Sequence, residues 1–99
     1  MQKNPMIKRI VKMTFQEDKT ETFLKIYLER KEKISGFEGC SGVELLRGKS
    51  PENVFFTYSL WEDEAALEKY RQSDLFQSTW ALVKPLFGEK AEAWTVEEV

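Results

Sequence analysis

The sequence predicts an α+β domain of the ferredoxin-like class, with the element order β-α-β-β-α-β over residues 1–99. Three observations support this prediction. Segments of alternating apolar residues predict strands, amphipathic segments between them predict two helices, and a break near Ser73 divides the second helix. In this fold both helices pack on one face of an antiparallel sheet. A chain of 99 residues is long enough for one such domain.

The first half of the chain contains a strand, a long helix and a second strand. One face of the strand over residues 7–15 carries Ile7, Arg9, Val11, Met13 and Phe15. Asp18 and Glu21 have the spacing of a capping box, which predicts the start of a helix that stops near Gly36. The apolar stripe of this helix consists of Phe23, Leu24, Tyr27, Leu28 and Ile34. Residues 41–47 then predict the second strand.

Residues 54–61 form the clearest strand, because they are rich in β-formers. Both faces of this strand are rather apolar, so we expect it to be central and covered on both sides. One face carries Val54, Phe56, Tyr58 and Leu60. The other carries Phe55, Thr57, Ser59 and Trp61. Acids at residues 62–64 favour a helix start, Ser73 can cap the second helical segment, and Pro85 should end it. Residues 91–99 predict the last strand.

Composition argues against several kinds of partner. The formal net charge is −2 and no basic stripe exists to neutralise phosphates, so we expect no nucleic-acid binding. No apolar run approaches the ~20 residues of a membrane span, which predicts no membrane partner. The first residues resemble no signal peptide, and a single cysteine cannot form an internal disulfide. These features predict a cytoplasmic protein.

The chain contains no histidine, which restricts the chemistry available to it. A catalytic triad, a Cys-His pair and a histidine-bound metal cannot form within this chain. The residues alone therefore assign no catalytic group, and we expect no metal and no flavin or other cofactor. Cys40 lacks an activating base and is interpreted as a small buried apolar residue. The acids at residues 62–64 are interpreted as a helix start rather than a metal site.

The bare face of the predicted sheet indicates an oligomer. Because both helices lie on one face, the other face has no cover within the chain, and its strands also carry apolar side chains. An exposed apolar sheet face of this kind is typical of an interface. We therefore expect a homodimer in which two copies pack sheet face against sheet face.

Three motifs are similar to those of a known family. They are Gly36-Phe37-Glu38-Gly39 before the second strand, Trp61 at the end of the third strand, and Ser73-Asp74-Leu75-Phe76 at the helix break. With these motifs, nearly the whole chain resembles the antibiotic-biosynthesis-monooxygenase family, whose fold is a dimeric α/β barrel. The resemblance implies a homodimer with a small-molecule pocket. The family includes cofactor-free oxidases of aromatic polyketides, haem-degrading enzymes and members of no known activity.

The haem-degrading branch of that family has an asparagine, a tryptophan and a histidine at positions that correspond here to Val11, Tyr70 and Trp80. None of the three matches, since Val11 cannot hydrogen-bond and Trp80 cannot ligate iron. The resemblance therefore implies the fold and the position of a pocket, and we expect no haem degradation.

A cleft between the broken second helix and the sheet is the candidate ligand pocket. We expect Tyr70, Phe76 and Trp80 to form stacking walls for a flat, mainly apolar small molecule, with Tyr58 or Arg9 as the orienting polar contact. Each residue has a second interpretation. The aromatic stripe could fill a core, Tyr58 could lie in the dimer interface, and Arg9 could form a surface ion pair.

Two functions from different classes remain open. The first is a cofactor-independent monooxygenase of an electron-rich aromatic such as a quinol or phenol, in which the protein binds and deprotonates the substrate and excludes water. The second is a non-catalytic dimeric module that binds a small apolar ligand or only assembles. The missing histidine mildly favours the second function, because a base must then be another side chain or a water.

Overall fold

Residues 6–99, which the computed structural model describes, form four strands and three helices in the predicted ferredoxin-like order. Short 3₁₀ turns precede the first helix and follow the third. The elements are β1 (Ile7–Thr14), α1 (Thr20–Ser35), β2 (Cys40–Arg47), β3 (Val54–Trp61), α2 (Glu64–Arg71), α3 (Asp74–Val83) and β4 (Glu92–Glu97). No helix in this part of the chain is long and apolar enough to cross a membrane.

The four strands make one antiparallel sheet in the order β2-β3-β1-β4. Strands β1 and β3 are central, as predicted for residues 54–61, and Ile7 pairs with Trp61 while Thr14 pairs with Val54. Because side chains alternate along a strand, each residue's face follows from this register. The helices cover the face that carries Ile7 and Trp61, and this is called the helix-covered face below.

The apolar core on the helix-covered face is divided into two parts. The first cluster consists of Met13, Phe15, Phe23, Tyr27, Phe55 and Val83. The second cluster consists of Ile7, Trp61 and Leu67. The two clusters lie at opposite ends of β1 and β3. Between them, Val11 packs against the first cluster, whereas Arg9, Thr57 and Ser59 belong to neither. The core is therefore closed at both ends of the sheet and interrupted in the middle.

The start and the stripe of α1 differ in part from the sequence prediction. Asp18 lies in the 3₁₀ turn Glu17–Lys19, and no side chain caps the first turn of α1, so the predicted capping box is wrong. The backbone N–H of Lys19 donates instead to the carbonyl of Gln16 at 2.9 Å, which makes the turn. Leu28 is 66% exposed, because it lies one helical step past Tyr27 and so turns away from the sheet.

The predicted features at the broken helix are confirmed. The Asp63 carboxylate accepts a hydrogen bond from the Ala66 N–H at 2.8 Å and caps α2. The Ser73 hydroxyl accepts from the Phe76 N–H at 3.1 Å, which caps α3, and it donates to the Tyr70 carbonyl at 2.6 Å. Pro85 lies in the 3₁₀ turn directly after α3. Ser73 thus connects the end of α2 to the start of α3.

The opposite side of the sheet, called the open face below, is covered by no helix of residues 6–99. Its side chains are Lys8, Ile10, Lys12, Thr14, Glu44, Leu46, Val54, Phe56, Tyr58, Leu60, Glu92, Trp94 and Val96. Leu46 is 50% exposed and Trp94 is 46% exposed, which is high for large apolar residues. In a single copy, β3 is therefore fully covered on one face only.

The cap at Ser73 generates a testable prediction. Replacing Ser73 with alanine should lower the free energy of unfolding by about 1 kcal/mol, because it removes the side-chain partner of the Phe76 N–H. Urea unfolding followed by circular dichroism measures the change. Ser78→Ala, an exposed change inside the same helix, is the matched control and should cost less. Equal stability of Ser73→Ala and the wild type would refute the role of the cap.

Candidate functional site

A cavity of about 330 Å³ lies between the helices and the helix-covered face of the sheet. It occupies the gap between the two core clusters, and strands β1 and β3 form its floor. Side chains of all three helices form the rest of the wall, and Ala91 to Ala93 border it at the β4 side. The cavity therefore lies between the two layers of the fold and is partly open to solvent, rather than being a surface groove between loops.

The side chains at the middle of the two central strands explain why the core does not close. Arg9 pairs with Ser59 across the strands, and Val11 pairs with Thr57. The Arg9 guanidinium and the hydroxyls of Thr57 and Ser59 thus lie between two clusters that consist of aromatic and aliphatic side chains. The Ser59 hydroxyl accepts a hydrogen bond from Trp61, whereas Arg9 and Thr57 stay half-buried, so these three side chains add nothing to either apolar cluster. The sequence therefore retains a space between sheet and helices.

Four aromatic rings form a continuous row along one wall of the cavity. Tyr70 stacks on Trp61 with the ring centroids 4.8 Å apart, and Phe76 meets Tyr70 edge to face at 5.2 Å. Trp80 stacks on Phe76 at 5.8 Å with an angle of 9° between the planes. The Trp61 indole donates to the Ser59 hydroxyl at 2.9 Å, which fixes one end of the row. The row offers flat apolar surfaces on which an aromatic ligand can stack.

Arg9 is the half-buried cation of the cavity. Its guanidinium donates to the Thr95 hydroxyl at 2.8 Å and takes part in neither of the ion pairs formed among residues 6–99. Burial and then the positive charge of Arg71 lower the pKa of Arg9, whereas the carboxylate of Glu68 acts in the opposite direction. Glu68 itself pairs with Arg71 at 3.2 Å. Arg9 therefore presents a charge at the cavity with no close carboxylate to neutralise it.

Two tyrosine hydroxyls in the cavity wall stay protonated near neutral pH. Burial and then the neighbouring Cys40 raise the pKa of Tyr70 to about 12. Burial and then the charge of Glu44 also raise the pKa of Tyr27. Both groups can therefore donate hydrogen bonds to a ligand, and neither is suited to act as a base.

The structure brings together four of the five predicted pocket residues. Arg9, Tyr70, Phe76 and Trp80 all line the cavity. Tyr58 does not, and its prediction as a pocket residue is wrong. Since Arg9 and Thr57 face the helices, the alternation of β3 places Tyr58 on the open face, paired with Ile10 and Glu44.

Other predicted features have structural positions that fit their interpretation. Cys40 is half-buried against the second cluster, and burial raises the pKa of its thiol, which disfavours the nucleophilic thiolate. Asp63 caps a helix. No group of three or more metal-ligating side chains occurs among residues 6–99.

Most residues of the cavity wall are not predicted as pocket residues from the sequence, among them Trp61, Tyr27 and Arg71. Trp61 was noted only as a family motif, and Tyr27 was placed in an apolar stripe. Thr57 and Ser59 are polar and alternate within the most apolar strand. This pattern in the sequence indicates a gap in the core. Arg71 follows no pattern that would distinguish it from an exposed helical arginine.

The positions that resemble the haem-degrading site converge on the same cavity. Val11, Tyr70 and Trp80 all line it. The three positions thus share one cavity, and their side chains differ from those of the haem-degrading branch in all three cases.

Solved structures with the same fold are numerous. A protein from Caulobacter crescentus CB15, described as a candidate antibiotic biosynthesis monooxygenase, has a TM-score of 0.89 at 24% identity, covering 97% of this chain and 92% of its own. One from Bordetella bronchiseptica with the same description has a TM-score of 0.86 at 24% identity, covering 96% and 98%. A conserved protein from Methanosarcina mazei Go1 has a TM-score of 0.91 at 18% identity, covering 97% and 95%. These likenesses show the fold.

The sequence itself identifies the family. No curated protein matches it significantly. The sequence model of the family described as "Antibiotic biosynthesis monooxygenase" matches residues 6–81, which is well over half of the chain and includes β1 to most of α3. The chain therefore belongs to the antibiotic biosynthesis monooxygenase family.

Proposed function

We propose that this protein is a cofactor-independent monooxygenase of an electron-rich aromatic small molecule of the quinol or phenol type. The observation that carries the proposal is the cavity, in which a row of aromatic rings meets a half-buried guanidinium with no carboxylate partner. Membership of the antibiotic biosynthesis monooxygenase family supports the reaction class.

The size and lining of the cavity suit a flat ligand. Small-molecule sites typically measure roughly 300–1,000 Å³ and are apolar with a few placed polar groups, and this cavity lies at the lower end of that range. The rings of Tyr70, Phe76 and Trp80 would stack on the ligand body. The enclosing walls would also keep water away from a reactive intermediate.

The reaction needs no reductant besides the substrate. A phenol with a hydrogen on the attacked ring carbon reacts with O₂ to give a quinone and water. One oxygen atom of O₂ forms the new carbon–oxygen bond, and the other leaves as water with the ring hydrogen and the phenolic proton. The substrate loses the four electrons that O₂ gains. The protein must therefore bind the phenol, favour its ionised form and exclude solvent.

The residues around the cavity divide these tasks. Arg9 would stabilise the phenolate by a charge-assisted hydrogen bond, which lowers the pKa of the bound phenol. Tyr70 would donate a hydrogen bond, because its own hydroxyl keeps its proton. The proton of the phenol would leave through a water at the β4 side of the cavity, where Glu92 and Ala93 are exposed.

We also propose that two copies pair through their open faces. The support is the exposed apolar surface on this face, including Leu46, Trp94 and Val96, which a partner of the same kind would bury. On the same face, Lys8 and Lys12 lie on either side of Ile10 in β1. In a twofold interface these lysines would lie opposite Glu44 of the partner subunit. Obligate homodimers bury on the order of 2,000 Å² or more in this way.

The second candidate function is a dimeric module that binds a small apolar ligand without turnover. The absence of histidine favours it, together with the raised pKa of Tyr27 and Tyr70, since neither an imidazole nor a tyrosinate is then available as a base and Glu92 is the one carboxylate that residues 6–99 contribute to the cavity wall. Oxygen consumption in the presence of substrate separates the two functions, because only the monooxygenase consumes it.

Replacing Arg9 with glutamine tests the catalytic proposal. With a panel of naphthols and quinols, oxygen uptake by the wild type should exceed the uncatalysed rate, and Arg9→Gln should lower kcat/KM by roughly 100-fold because the phenolate loses its cation. Arg47→Gln is the matched control, since Arg47 lies outside the cavity and stacks over Phe55. Equal rates for Arg9→Gln and the wild type, or no uptake with any compound, would contradict the proposal.

Replacing Leu46 with lysine tests the dimer. The change places a charge on the open face and should shift the protein from dimer to monomer at micromolar concentration, as measured by sedimentation velocity. Leu28→Lys is the matched control, because Leu28 is also an exposed leucine but lies on α1 away from the open face. A wild-type protein that is already monomeric at this concentration would rule out the proposed assembly.

A further inference from the structure

A second arginine lies in the wall of the cavity, near Arg9. Arg71 is the last residue of α2 and directly follows Tyr70, which belongs to the row of aromatic rings. Both arginines line the cavity. The charge of Arg71 also lowers the pKa of Arg9, after the larger effect of burial, so the two guanidinium groups are near each other. Two cations thus border one space, beside surfaces on which an aromatic ring can stack.

The acidic groups near this pair leave it positively charged. Glu68 contacts Arg71 at 3.2 Å, but the two side chains are 53% and 46% exposed, and a pair this accessible to water is weak. The effect of Glu68 on the pKa of Arg9 is smaller than the opposing effect of Arg71. Glu92 is the one carboxylate that residues 6–99 contribute to the cavity wall, and its pairing with Lys12 places its side chain on the open face. The cavity therefore favours an anionic ligand.

Both guanidinium groups keep hydrogen-bond donors for a ligand, because each has five N–H groups. Arg9 uses one nitrogen for the Thr95 hydroxyl at 2.8 Å, and Arg71 uses one for Glu68. A carboxylate can accept two parallel hydrogen bonds from the planar fork of an arginine. A ligand that carries both a phenolate and a carboxylate would therefore pair with both cations and offset their mutual repulsion.

We propose that Arg71 is a specificity-determining residue, which binds a carboxylate substituent of the aromatic substrate while Arg9 pairs with the phenolate. The inference rests on the proposed function and narrows it, from electron-rich phenols in general to hydroxylated aromatic carboxylic acids. The carboxylate takes no part in the reaction with O₂. It supplies binding energy away from the reacting carbon and holds the ring in one orientation.

The test compares an acid with its neutral carboxamide, so that the charge of the ligand changes while its shape is kept. The ligands are 3-hydroxy-2-naphthoic acid and 6-hydroxy-2-naphthoic acid, the carboxamide of each, and 2-naphthol. Affinity is measured without oxygen by isothermal titration calorimetry near neutral pH, where a carboxyl group is ionised. The proteins are the wild type and Arg71→Gln.

Lys69→Gln is the matched control for Arg71→Gln. It removes one positive charge from the same helix, but Lys69 does not line the cavity, and its side chain pairs with Glu38 at 2.9 Å. A general effect of the charge on α2 would therefore appear in both variants, whereas a contact with the ligand would be lost in Arg71→Gln alone.

The expected result is a preference for the acid that depends on Arg71. At least one acid should bind the wild type and Lys69→Gln about tenfold more tightly than its carboxamide, as expected for one charge-assisted pair. In Arg71→Gln this preference should fall to within about twofold. The affinity for 2-naphthol should be the same in all three proteins, which also shows that the cavity of the variant is intact.

Three results would overturn the inference and leave the proposed function in place. The first is that neither acid binds the wild type more tightly than its carboxamide, although 2-naphthol binds. The second is a preference for the acid that persists in Arg71→Gln. The third is an equal loss of the preference in Lys69→Gln, which would assign it to the charge of the helix. If no member of the series binds the wild type, both the inference and the proposed substrate class are wrong.

Discussion

The middle of the helix-covered face of the sheet is polar, and the rest of the structure depends on this constraint. Arg9, Thr57 and Ser59 occupy strand positions that a closed core would fill with apolar side chains. The apolar residues consequently gather in two clusters at the two ends of the sheet, and the helices bridge the space between them. The cavity is thus a consequence of residue choice on two adjacent strands, and it leaves the fold with less core than its length permits.

The broken helix converts this space into a lined site. Ser73 bonds both to the last turn of α2 and to the first turn of α3, so the direction of the chain changes there while Tyr70 and Phe76 remain in edge-to-face contact. The row of rings continues through Trp61 and Trp80 on either side of this contact. A cap that ends one helix and begins another therefore also determines the geometry of the aromatic wall.

The sequence predicted those elements whose signal is local and periodic. Strand β3 has the predicted bounds, and the cap at Ser73 and the stop at Pro85 follow from residue type. The predicted capping box is wrong because the chain makes a 3₁₀ turn before α1. The backbone N–H of Gln16, directly before this turn, donates to the carbonyl of Leu86. Tyr58 was assigned to the pocket although alternation from Thr57 places it on the other face. The position of Arg71 at the same cavity as Arg9 depends on tertiary packing, which no local pattern reveals.

In the proposed function, Arg9 serves to bind a ligand rather than to stabilise the fold. A half-buried cation without a carboxylate partner adds little to folding, and residues kept for function often lower stability. The most direct measurement is the free energy of urea unfolding of Arg9→Met and the wild type, at the same protein concentration and without ligand. If Arg9 serves a ligand, the free energy of unfolding of Arg9→Met should equal or exceed that of the wild type. A loss of more than about 2 kcal/mol would contradict it, because Arg9 would then hold the sheet together through Thr95.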